Sequence, residues 1–521
     1  MSVFLLTMVL MLCTGMARGQ AEGQVQEEWA ALYSGPGKDD VANDIAVDAS
    51  GNLYVTGYSQ SGHDYASSDY ATIKYYRNGK QIWLRRYNGP GNGHDTASAL
   101  ALDAMGNVYV TGWSDVSVFN SDYATIKYDS TGNQLWVARY NGSWDSDDLA
   151  FAMATDASGN VYVTGQSRGT GAVTIKYDTN GNQLWVARYS NPGVFVFESA
   201  RYIAVDASGN VYVTGFGFGS GTGTDYATVK YDTNGNQLWV ARYSGPLDSY
   251  DIPTAMAIDT SGNVYVTGSS KRSGTGHDYA TVKYDSSGNQ LWASRYNGPE
   301  NSMDNRATAM AIDISGNVYV TGFSVGSGTD HDYATVKYDS AGNQLWVLRY
   351  NGPANKRDVA YAIAVDKSGN VYVTGKSKGV NDFGAEAINY ATIKYDTNGN
   401  LQWVARSSGP ANSYDAALAI ALDGSCNIYV TGFYAEDLLP DDDRIWWDRN
   451  YATVKYSQRS PQTGDLDCDN DVDLVDLALY AVHWLETGCG VCGWADFSGD
   501  GDVDLEDFAM LGNYWLAGVE N

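Results

Sequence analysis

The tetrapeptide Tyr-Val-Thr-Gly occurs eight times in this chain of 521 residues, and this repetition limits the fold more than any other feature. The copies begin at Tyr54, Tyr109, Tyr162, Tyr212, Tyr265, Tyr319, Tyr372 and Tyr429, and successive copies are 50 to 57 residues apart. A nearly fixed period of this length predicts an array in which every repeat adopts the same small unit and packs against its neighbours.

Residues 254–299 form one complete repeat, which contains four runs of five to eight residues. The runs are AMAID, NVYVTG, YATVKYD and NQLWASRY, in which apolar and polar residues alternate. The sequence Asp-x-Ser-Gly-Asn joins the first run to the second and the third to the fourth, and its glycine suits a tight hairpin turn. The 58 Gly, 40 Tyr and 15 Trp residues of the chain agree with a fold of strands and turns. Four antiparallel strands per repeat, arranged radially, predict a β-propeller.

The two ends of the array indicate how the propeller closes. Seven repeats contain the fourth, tryptophan-bearing run, whereas the eighth repeat stops at Tyr456 without it. Residues 28–36, EWAALYSGP, match that missing run. We therefore predict a mainly β, eight-bladed propeller over residues 26–457 whose N-terminal strand completes the last blade, because an open array would leave unpaired edges.

The N-terminus has the features of an export signal. Residues 3–12 are an apolar run, and small residues follow between positions 15 and 21. We predict a signal peptide over residues 1–21 and a secreted or cell-surface protein. A membrane anchor is disfavoured because ten residues are too few to span a bilayer, and a lipid anchor on Cys13 is disfavoured by Leu12 before it. The rest of the sequence predicts no transmembrane segment.

The acid excess is unevenly distributed. The chain has a formal net charge of -28, which argues against a nucleic-acid partner because phosphate binding needs clustered Lys and Arg. Residues 462–521 contain 14 acidic residues and no Lys or Arg, after a short polar linker at 458–463. The propeller by itself is only mildly acidic, so the charge marks a separate C-terminal module at residues 464–518.

Two twelve-residue loops in this module have the spacing of calcium ligands. Oxygen-bearing side chains occupy loop positions 1, 3, 5, 7, 9 and 12, as in EF-hands. They are Asp465, Asp467, Asp469, Asp471, Asp473 and Asp476 in the first loop, and Asp496, Ser498, Asp500, Asp502, Asp504 and Asp507 in the second. An apolar run with helical spacing follows each loop, at residues 477–485 and 508–516. We predict a small α-helical domain that binds two Ca²⁺ ions.

The cysteines of the module leave two alternatives. A disulfide from Cys468 to Cys489 or to Cys492 would cross-link the first loop to the segment between the loops. The three cysteines and His483 would otherwise form a zinc site, which an oxidising compartment disfavours. Cys426 takes the place of a turn glycine in the eighth repeat and is either free or paired with the module.

One face of the predicted propeller varies more than the other. The Asp-x-Ser-Gly-Asn turns are nearly constant, so their side chains are assigned to turn formation. The opposite, variable face carries loops of unequal length, where binding sites usually lie. An acid begins the first run of seven repeats on this face, at Asp40, Asp95, Asp148, Glu198, Asp251, Asp358 and Asp415, while Asn305 replaces it in the sixth. These acids form a candidate ligand ring around the channel mouth, or each accepts hydrogen bonds from adjacent loop backbone, and the second interpretation is favoured.

The recurring sequences GNVYVTG, DYATVKYD and GNQLWVARY resemble the bacterial SBBP β-propeller repeat over residues 26–457. This resemblance implies a secreted or surface-associated propeller with no general assigned reaction. Residues 464–516 resemble a type I dockerin, which implies calcium-dependent docking to a cohesin-like or cell-surface protein. The resemblance departs at loop positions 10 and 11, where Leu474-Val475 and Leu505-Glu506 stand. The element at residues 177–185 also resembles the tryptophan docking motif of quinoprotein dehydrogenases, which shared blade geometry explains as well.

These observations favour an exported, non-catalytic binding or scaffold protein that presents a glycan or protein ligand surface and docks through its C-terminal module. The alternative is an enzyme, or a substrate-targeting component, of an extracellular polysaccharide-degrading assembly that hydrolyses glycosidic bonds. A quinoprotein-like dehydrogenase is a minor alternative. No nucleophile motif or His-Glu-x-x-His motif supports catalysis in the propeller, and no catalytic residue is assigned.

Overall fold

The structure is a computed structural model that describes the chain from residue 21 to residue 458, with gaps, together with residue 508. The described ranges are 21–22, 25–62, 67–117, 120–143, 145–189, 199–219, 223–247, 250–272, 275–299, 304–380, 386–411, 413–425, 427–436, 448–458 and 508. All regular elements between residues 21 and 458 in these ranges are β-strands.

Thirty-three strands follow one another in the described ranges. The first eighteen are β1 (Ala21–Glu22), β2 (Val25–Tyr33), β3 (Asp40–Val47), β4 (Leu53–Gln60), β5 (Ser68–Tyr75), β6 (Gln81–Tyr87), β7 (Asp95–Leu102), β8 (Val108–Ser117), β9 (Asn120–Tyr128), β10 (Gln134–Tyr140), β11 (Asp148–Thr155), β12 (Val161–Ser167), β13 (Gly171–Tyr177), β14 (Gln183–Tyr189), β15 (Ser199–Val205), β16 (Val211–Gly219), β17 (Gly223–Tyr231) and β18 (Gln237–Tyr243). The others are β19 (Asp251–Ile258), β20 (Val264–Arg272), β21 (Thr275–Tyr284), β22 (Gln290–Tyr296), β23 (Arg306–Ile312), β24 (Val318–Val325), β25 (His331–Tyr338), β26 (Gln344–Tyr350), β27 (Asp358–Val365), β28 (Val371–Val380), β29 (Glu386–Tyr395), β30 (Leu401–Ser407), β31 (Ala416–Leu422), β32 (Ile428–Ala435) and β33 (Arg449–Gln458).

The strands form eight antiparallel sheets, which are the blades of a propeller. Blades 1 to 7 each use four consecutive strands, beginning with β3 to β6 and ending with β27 to β30. Blade 8 is built from β31, β32 and β33, and β2 from the N-terminus pairs with β33 as its outer strand. The predicted mainly β, eight-bladed fold and its closure by the N-terminal strand are confirmed. The short strand β1 adds to the outer edge of blade 7, next to β30, which the sequence did not predict.

The first strands of the blades are innermost and contact one another in a closed ring. Each of β3, β7, β11, β15, β19, β23, β27 and β31 contacts the next, and β31 contacts β3 again. Each first strand carries a bulge in its pairing with the second strand, as between Ala42 and Asp44 in blade 1. The bulge increases the local twist of the inner strand. The first strands therefore surround the propeller axis and line a central channel.

Tyrosine and lysine of the repeat fill the junctions between blades. Tyr54 of the Tyr-Val-Thr-Gly sequence is fully buried, and its hydroxyl donates to the turn carboxylate of Asp48 at 3.1 Å. The ammonium of Lys74 lies 4.9 Å from the Tyr54 ring centroid and donates to the carbonyl of Ser130 in the next blade. A satisfied, ring-stacked cation can remain buried at low cost. The constant side chains of the repeat are thus accounted for by packing and turn formation.

A tryptophan on each fourth strand packs and hydrogen-bonds against the neighbouring blade. Trp239 Nε1 donates to the carbonyl of Ser286 in the next blade at 3.1 Å. Its ring lies against Gly288, which has a φ of +85°. A Cβ atom on Gly288 would lie 2.7 Å from the indole, so only glycine fits this turn. In blade 8, Trp29 of β2 makes the corresponding bond to the carbonyl of Arg77 at 2.9 Å, which fastens the closing strand to blade 1.

The predicted α-helical calcium-binding domain lies outside the described residues except for Phe508. The present structure therefore supports the propeller and provides no support for a helical dockerin-like domain, which stays a prediction. The predicted signal peptide, except for Ala21 in β1, and most of the predicted linker also lie outside the described residues.

Candidate functional site

The first-strand aspartates predicted as a candidate ring are buried and hold the loops between blades. The Oδ2 atom of Asp95 accepts the backbone N–H of Gly89 at 2.6 Å, and Asp95 has no exposed surface. The same bond to a loop glycine is made by Asp40, Asp148, Asp251, Asp358 and Asp415. In blade 6, Asn305 donates to the carbonyl of Asn297 instead. Glu198 lies outside the described residues. This arrangement matches the alternative in which each acid fastens its own loop.

Burial dominates the electrostatics of these aspartates. It raises the pKa of Asp40 and of Asp95 from 3.8 to about 6, although their hydrogen bonds oppose the shift. It raises the pKa of Asp415 to about 7. Among the residues that the structure describes, no group of three or more His, Cys, Asp and Glu side chains lies close enough to hold a metal ion. The described first-strand aspartates are therefore six separate loop caps, one per blade.

A second set of side chains on the variable face forms a continuous cluster across blades 7, 8 and 1. We call it the mouth cluster, and its members are Tyr58, Tyr361, Lys376, Tyr414, Phe433 and Arg449. The strands β27, β28, β32, β33 and β4 position five of these residues, and Tyr414 lies in the loop that precedes β31. The cluster combines four aromatic rings with two cations.

The blade 7 half of the cluster centres on Lys376. Its Nζ atom donates to the hydroxyl of Tyr414 at 2.6 Å and lies 5.0 Å from the Tyr414 ring centroid. The ring centroid of Tyr361 lies 5.7 Å from the same Nζ atom. Burial alone would lower the pKa of Lys376, but the two tyrosine hydroxyls outweigh it and raise that pKa. The side chain is consequently a cation with a fixed direction.

The blade 8 half of the cluster joins Tyr414 to blade 1. The Tyr414 and Phe433 rings are stacked, with centroids 6.0 Å apart and an interplanar angle of 10°. The guanidinium of Arg449 lies 5.0 Å from the Phe433 centroid. Arg449 donates from Nε to Asp39 at 2.6 Å and from Nη2 to the Tyr58 hydroxyl at 2.9 Å. Burial raises the pKa of Tyr58 well above 10, so its hydroxyl is neutral.

The mouth cluster can therefore present aromatic faces and polar groups to a ligand. All of its members except the buried Phe433 are half-buried, so each keeps part of its surface open to solvent. Their mutual hydrogen bonds fix the side chains before any ligand binds, which reduces the entropy cost of binding. Apolar walls with a few fixed polar groups are the usual composition of small-molecule sites.

The sequence contains a signal for this cluster that its repeats obscure. The residue after Tyr-Val-Thr-Gly varies strongly between otherwise constant neighbours. In chain order it is Tyr58, Trp113, Gln166, Phe216, Ser269, Phe323, Lys376 and Phe433. Variation at one position of a constant frame indicates that the position has no shared packing role. Sequence analysis instead selected the acids, which are constant because they cap loops.

The calcium-ligand loops, Cys468, Cys489 and Cys492 lie outside the described residues, as does Cys426. In the part of the chain that is described, no helix is long and apolar enough to cross a membrane.

Comparisons with known proteins agree with the propeller repeat. The SBBP family model, described as a beta-propeller repeat, matches residues 28–63, 238–272 and 346–384. The resemblance to SBBP repeats is therefore confirmed in these segments. An uncharacterised WD repeat-containing protein of Acanthamoeba polyphaga mimivirus is 24% identical over an alignment of 447 residues, gaps included, and the match covers 75% of this chain and 29% of that protein. This chain thus corresponds to less than a third of that relative.

Solved structures with similarity to this chain include three with low TM-scores. A protein of unknown function from Bacteroides caccae has 15% identity and a TM-score of 0.33, with 57% of this chain and 94% of that chain covered. A eukaryotic initiation factor has 8% identity and a TM-score of 0.38, with 72% and 89% covered. The calcium-binding protein regucalcin from Agrobacterium tumefaciens has 13% identity and a TM-score of 0.29, with 56% and 88% covered. At these scores the similarities support no conclusion about function.

Proposed function

We propose that this chain is a binding protein whose propeller holds a glycan at the mouth cluster on its variable face. The observation that carries this proposal is the stacked pair Tyr414 and Phe433, flanked by Lys376 and Arg449. Pyranose rings present apolar C–H faces and polar hydroxyl edges. Half-buried aromatic rings match the former, and fixed amine, guanidinium and phenol groups match the latter.

The rigidity of the scaffold supports the same proposal. The inner ring of first strands and the tryptophan contacts hold all eight blades in one closed structure. A rigid frame with variable side chains at one face suits recognition of a ligand. This face needs no reacting group of its own for that purpose.

The chain itself offers a matched pair of variants for a test. Tyr414 and Tyr250 both stand immediately before the first-strand aspartate of their blades. Tyr414 belongs to the mouth cluster, whereas Tyr250 is 56% exposed. We expect Tyr414→Ala to weaken binding about tenfold or more, since an anchoring aromatic residue contributes more than about 1 kcal/mol. Tyr250→Ala should bind as the unchanged protein does.

The measurement is a glycan array on the unchanged protein, followed by isothermal titration calorimetry of both variants with the strongest ligand. Equal losses in the two variants would show that binding depends on Tyr250 as much as on Tyr414, and the mouth cluster would then not be the site. Unchanged binding in Tyr414→Ala would also refute the assignment.

We further propose that the protein is exported and that residues 464–516 bind two Ca²⁺ ions and dock to a cohesin-like or cell-surface partner. The regular oxygen spacing of the two loops supports this proposal. Titration of the full chain with Ca²⁺, and capture of cohesin modules with and without EDTA, would test it. A role in a polysaccharide-degrading assembly would follow from such docking, and it stays a hypothesis.

A further inference from the structure

Arg201 differs from the other charged side chains of the inner ring. In the seven residues that follow the acid position of each blade, which is Asn305 in blade 6, three are charged, namely Asp44, Arg201 and Arg306. Asp44 accepts the backbone N–H of Leu100 at 2.8 Å, and Arg306 forms an ion pair with Asp304 at 2.7 Å. Among the described residues, Arg201 has neither a hydrogen-bond partner nor an ion-pair partner.

Two aromatic rings hold the Arg201 side chain. Its guanidinium carbon lies 3.8 Å from the ring centroid of Phe151 in blade 3, and 5.8 Å from that of Phe216 in its own blade. A guanidinium stacked in this way keeps its N–H groups free at the edge of the plane, where they can meet a carboxylate in a bidentate pair. Burial lowers the pKa of Arg201.

The junction between blades 3 and 4 also lacks a tyrosine that the other junctions have. At those seven junctions a third-strand tyrosine hydroxyl donates to a carbonyl of the next blade, in Tyr70, Tyr123, Tyr226, Tyr279, Tyr333, Tyr390 and Tyr451. Ala172 has that position in blade 3. Facing it, Ala227 is 7% exposed, whereas its counterpart Ala71 in blade 1 is 0% exposed. The smaller side chain leaves space at this junction.

That space is adjacent to Arg201. At other junctions the tyrosine hydroxyl reaches the glycine of the second strand, as Tyr123 reaches Gly165. The equivalent glycine in blade 4 is Gly215, which pairs with Ala200, the residue before Arg201. A stacked cation that has no hydrogen-bond or ion-pair partner in the described ranges thus lies next to space that blade 3 does not fill.

We infer that Arg201, stacked on Phe151, is a subsite for a carboxylate of the bound glycan, which is therefore an acidic polysaccharide containing uronic acid. The inference rests on the proposed glycan-binding function and names its ligand class. A uronate polymer has pyranose faces that suit the mouth cluster and a carboxylate that suits Arg201. A polysaccharide lying across the channel mouth can contact both sides of the ring of first strands.

The test compares two polymers with one backbone, polygalacturonate and its fully methyl-esterified form, by calorimetry on the full chain. We expect the unchanged protein to bind polygalacturonate about tenfold or more tightly, since a charge-assisted pair is stronger than a neutral contact. Arg201→Gln should abolish this preference while leaving the methyl ester unaffected. Arg201→Lys, which keeps the charge without the planar fork, should keep only part of it. Arg306→Gln is the matched control and should retain the full preference.

Each other result overturns the inference. Equal binding of the two polymers by the unchanged protein, or full preference in Arg201→Gln with an unchanged melting curve, refutes the carboxylate subsite and leaves the proposed function intact. Equal competition by polyglutamate would show that a peptide carboxylate serves as well, which refutes the assignment to a glycan. Absence of binding to every glycan on the array refutes the proposed function and this inference together.

Discussion

Replacing Gly288 with alanine should destabilise the propeller far more than the same replacement at other glycines with positive φ. Gly288, Gly316 and Gly328 have φ angles of +85°, +76° and +75°. The backbone strain of a left-handed alanine, about 1–2 kcal/mol, is therefore common to all three variants. They differ in what the new Cβ atom meets.

The added Cβ of Gly288 would lie 2.7 Å from Cδ2 of Trp239, whereas that of Gly316 would lie 3.5 Å from its nearest neighbour and that of Gly328 would have no atom within 4 Å. Carbon atoms prefer separations of about 3.5–4.0 Å, so the indole must move by about 1 Å. Overpacking of this kind costs about 1–3 kcal/mol. The movement also breaks the Trp239 bond to Ser286, which contributes about 1 kcal/mol. Gly288→Ala should therefore cost about 2–4 kcal/mol more than either control.

Urea unfolding followed by tryptophan fluorescence measures these differences, because the midpoint shift multiplied by the slope gives the change in free energy of unfolding. A second variant isolates the cause. With Trp239→Leu already present, Gly288→Ala should cost no more than Gly316→Ala, since the ring that it displaces is absent. If Gly288→Ala lies within about 1 kcal/mol of both controls, the indole is not held against the turn and the reasoning fails.

Three further predictions concern the closing strand β2, the loop caps and the C-terminal module. Deleting residues 26–36 removes most of β2 and leaves β33 as an open edge, so we expect aggregation on size-exclusion chromatography. An unchanged monomer with unchanged melting would refute the idea that β2 stabilises the propeller by closing it. Burial raises the pKa of Asp415 from 3.8 to about 7, so the folded chain holds this proton more tightly than the unfolded chain, and stability should rise as pH falls from 8 to 5. The Asp415→Asn variant should show a smaller rise in its urea midpoint over that interval, and an identical rise would contradict the assignment. Chelation with EDTA should unfold residues 464–516 through carboxylate repulsion and leave the propeller transition in place, so calorimetric traces that coincide with and without EDTA would refute calcium binding.

The sequence predicted the fold well because the repeat is a local pattern. Alternating runs and glycine turns specify each hairpin, and the eighth repeat lacks one run that residues 28–36 supply. Closure followed from this arithmetic alone. Strand β1 was not predicted because its two residues carry no pattern, and their pairing with β30 depends on an edge that exists only in the folded blade.

The candidate site was predicted less well, and Tyr250 and Tyr414 show why. They have the same place in their repeats, yet only Tyr414 stacks on Phe433 and bonds to Lys376. The difference comes from the residues that blades 7 and 8 place around it. A repeat pattern describes what the blades share, whereas a site consists of what one blade has and the others lack.

The junction between blades 7 and 8 also differs from the repeat pattern in a way that only the structure explains. Six junctions pair a fourth-strand tyrosine with an arginine of the next blade, as Arg139 donates to Tyr87 at 2.9 Å, and Arg86 does so with Tyr33 across the closure. At the junction of blades 7 and 8, Ser407 replaces the tyrosine, and Tyr434 of the next blade bonds to it at 2.6 Å. In the sequence, each of these two substitutions is only a deviation from the repeat. The sequence by itself determined eight blades and their closure, because hairpins and periods are set by neighbouring residues. Only the tertiary structure decided which side chains meet, because those contacts join residues that the chain separates and radial packing brings together.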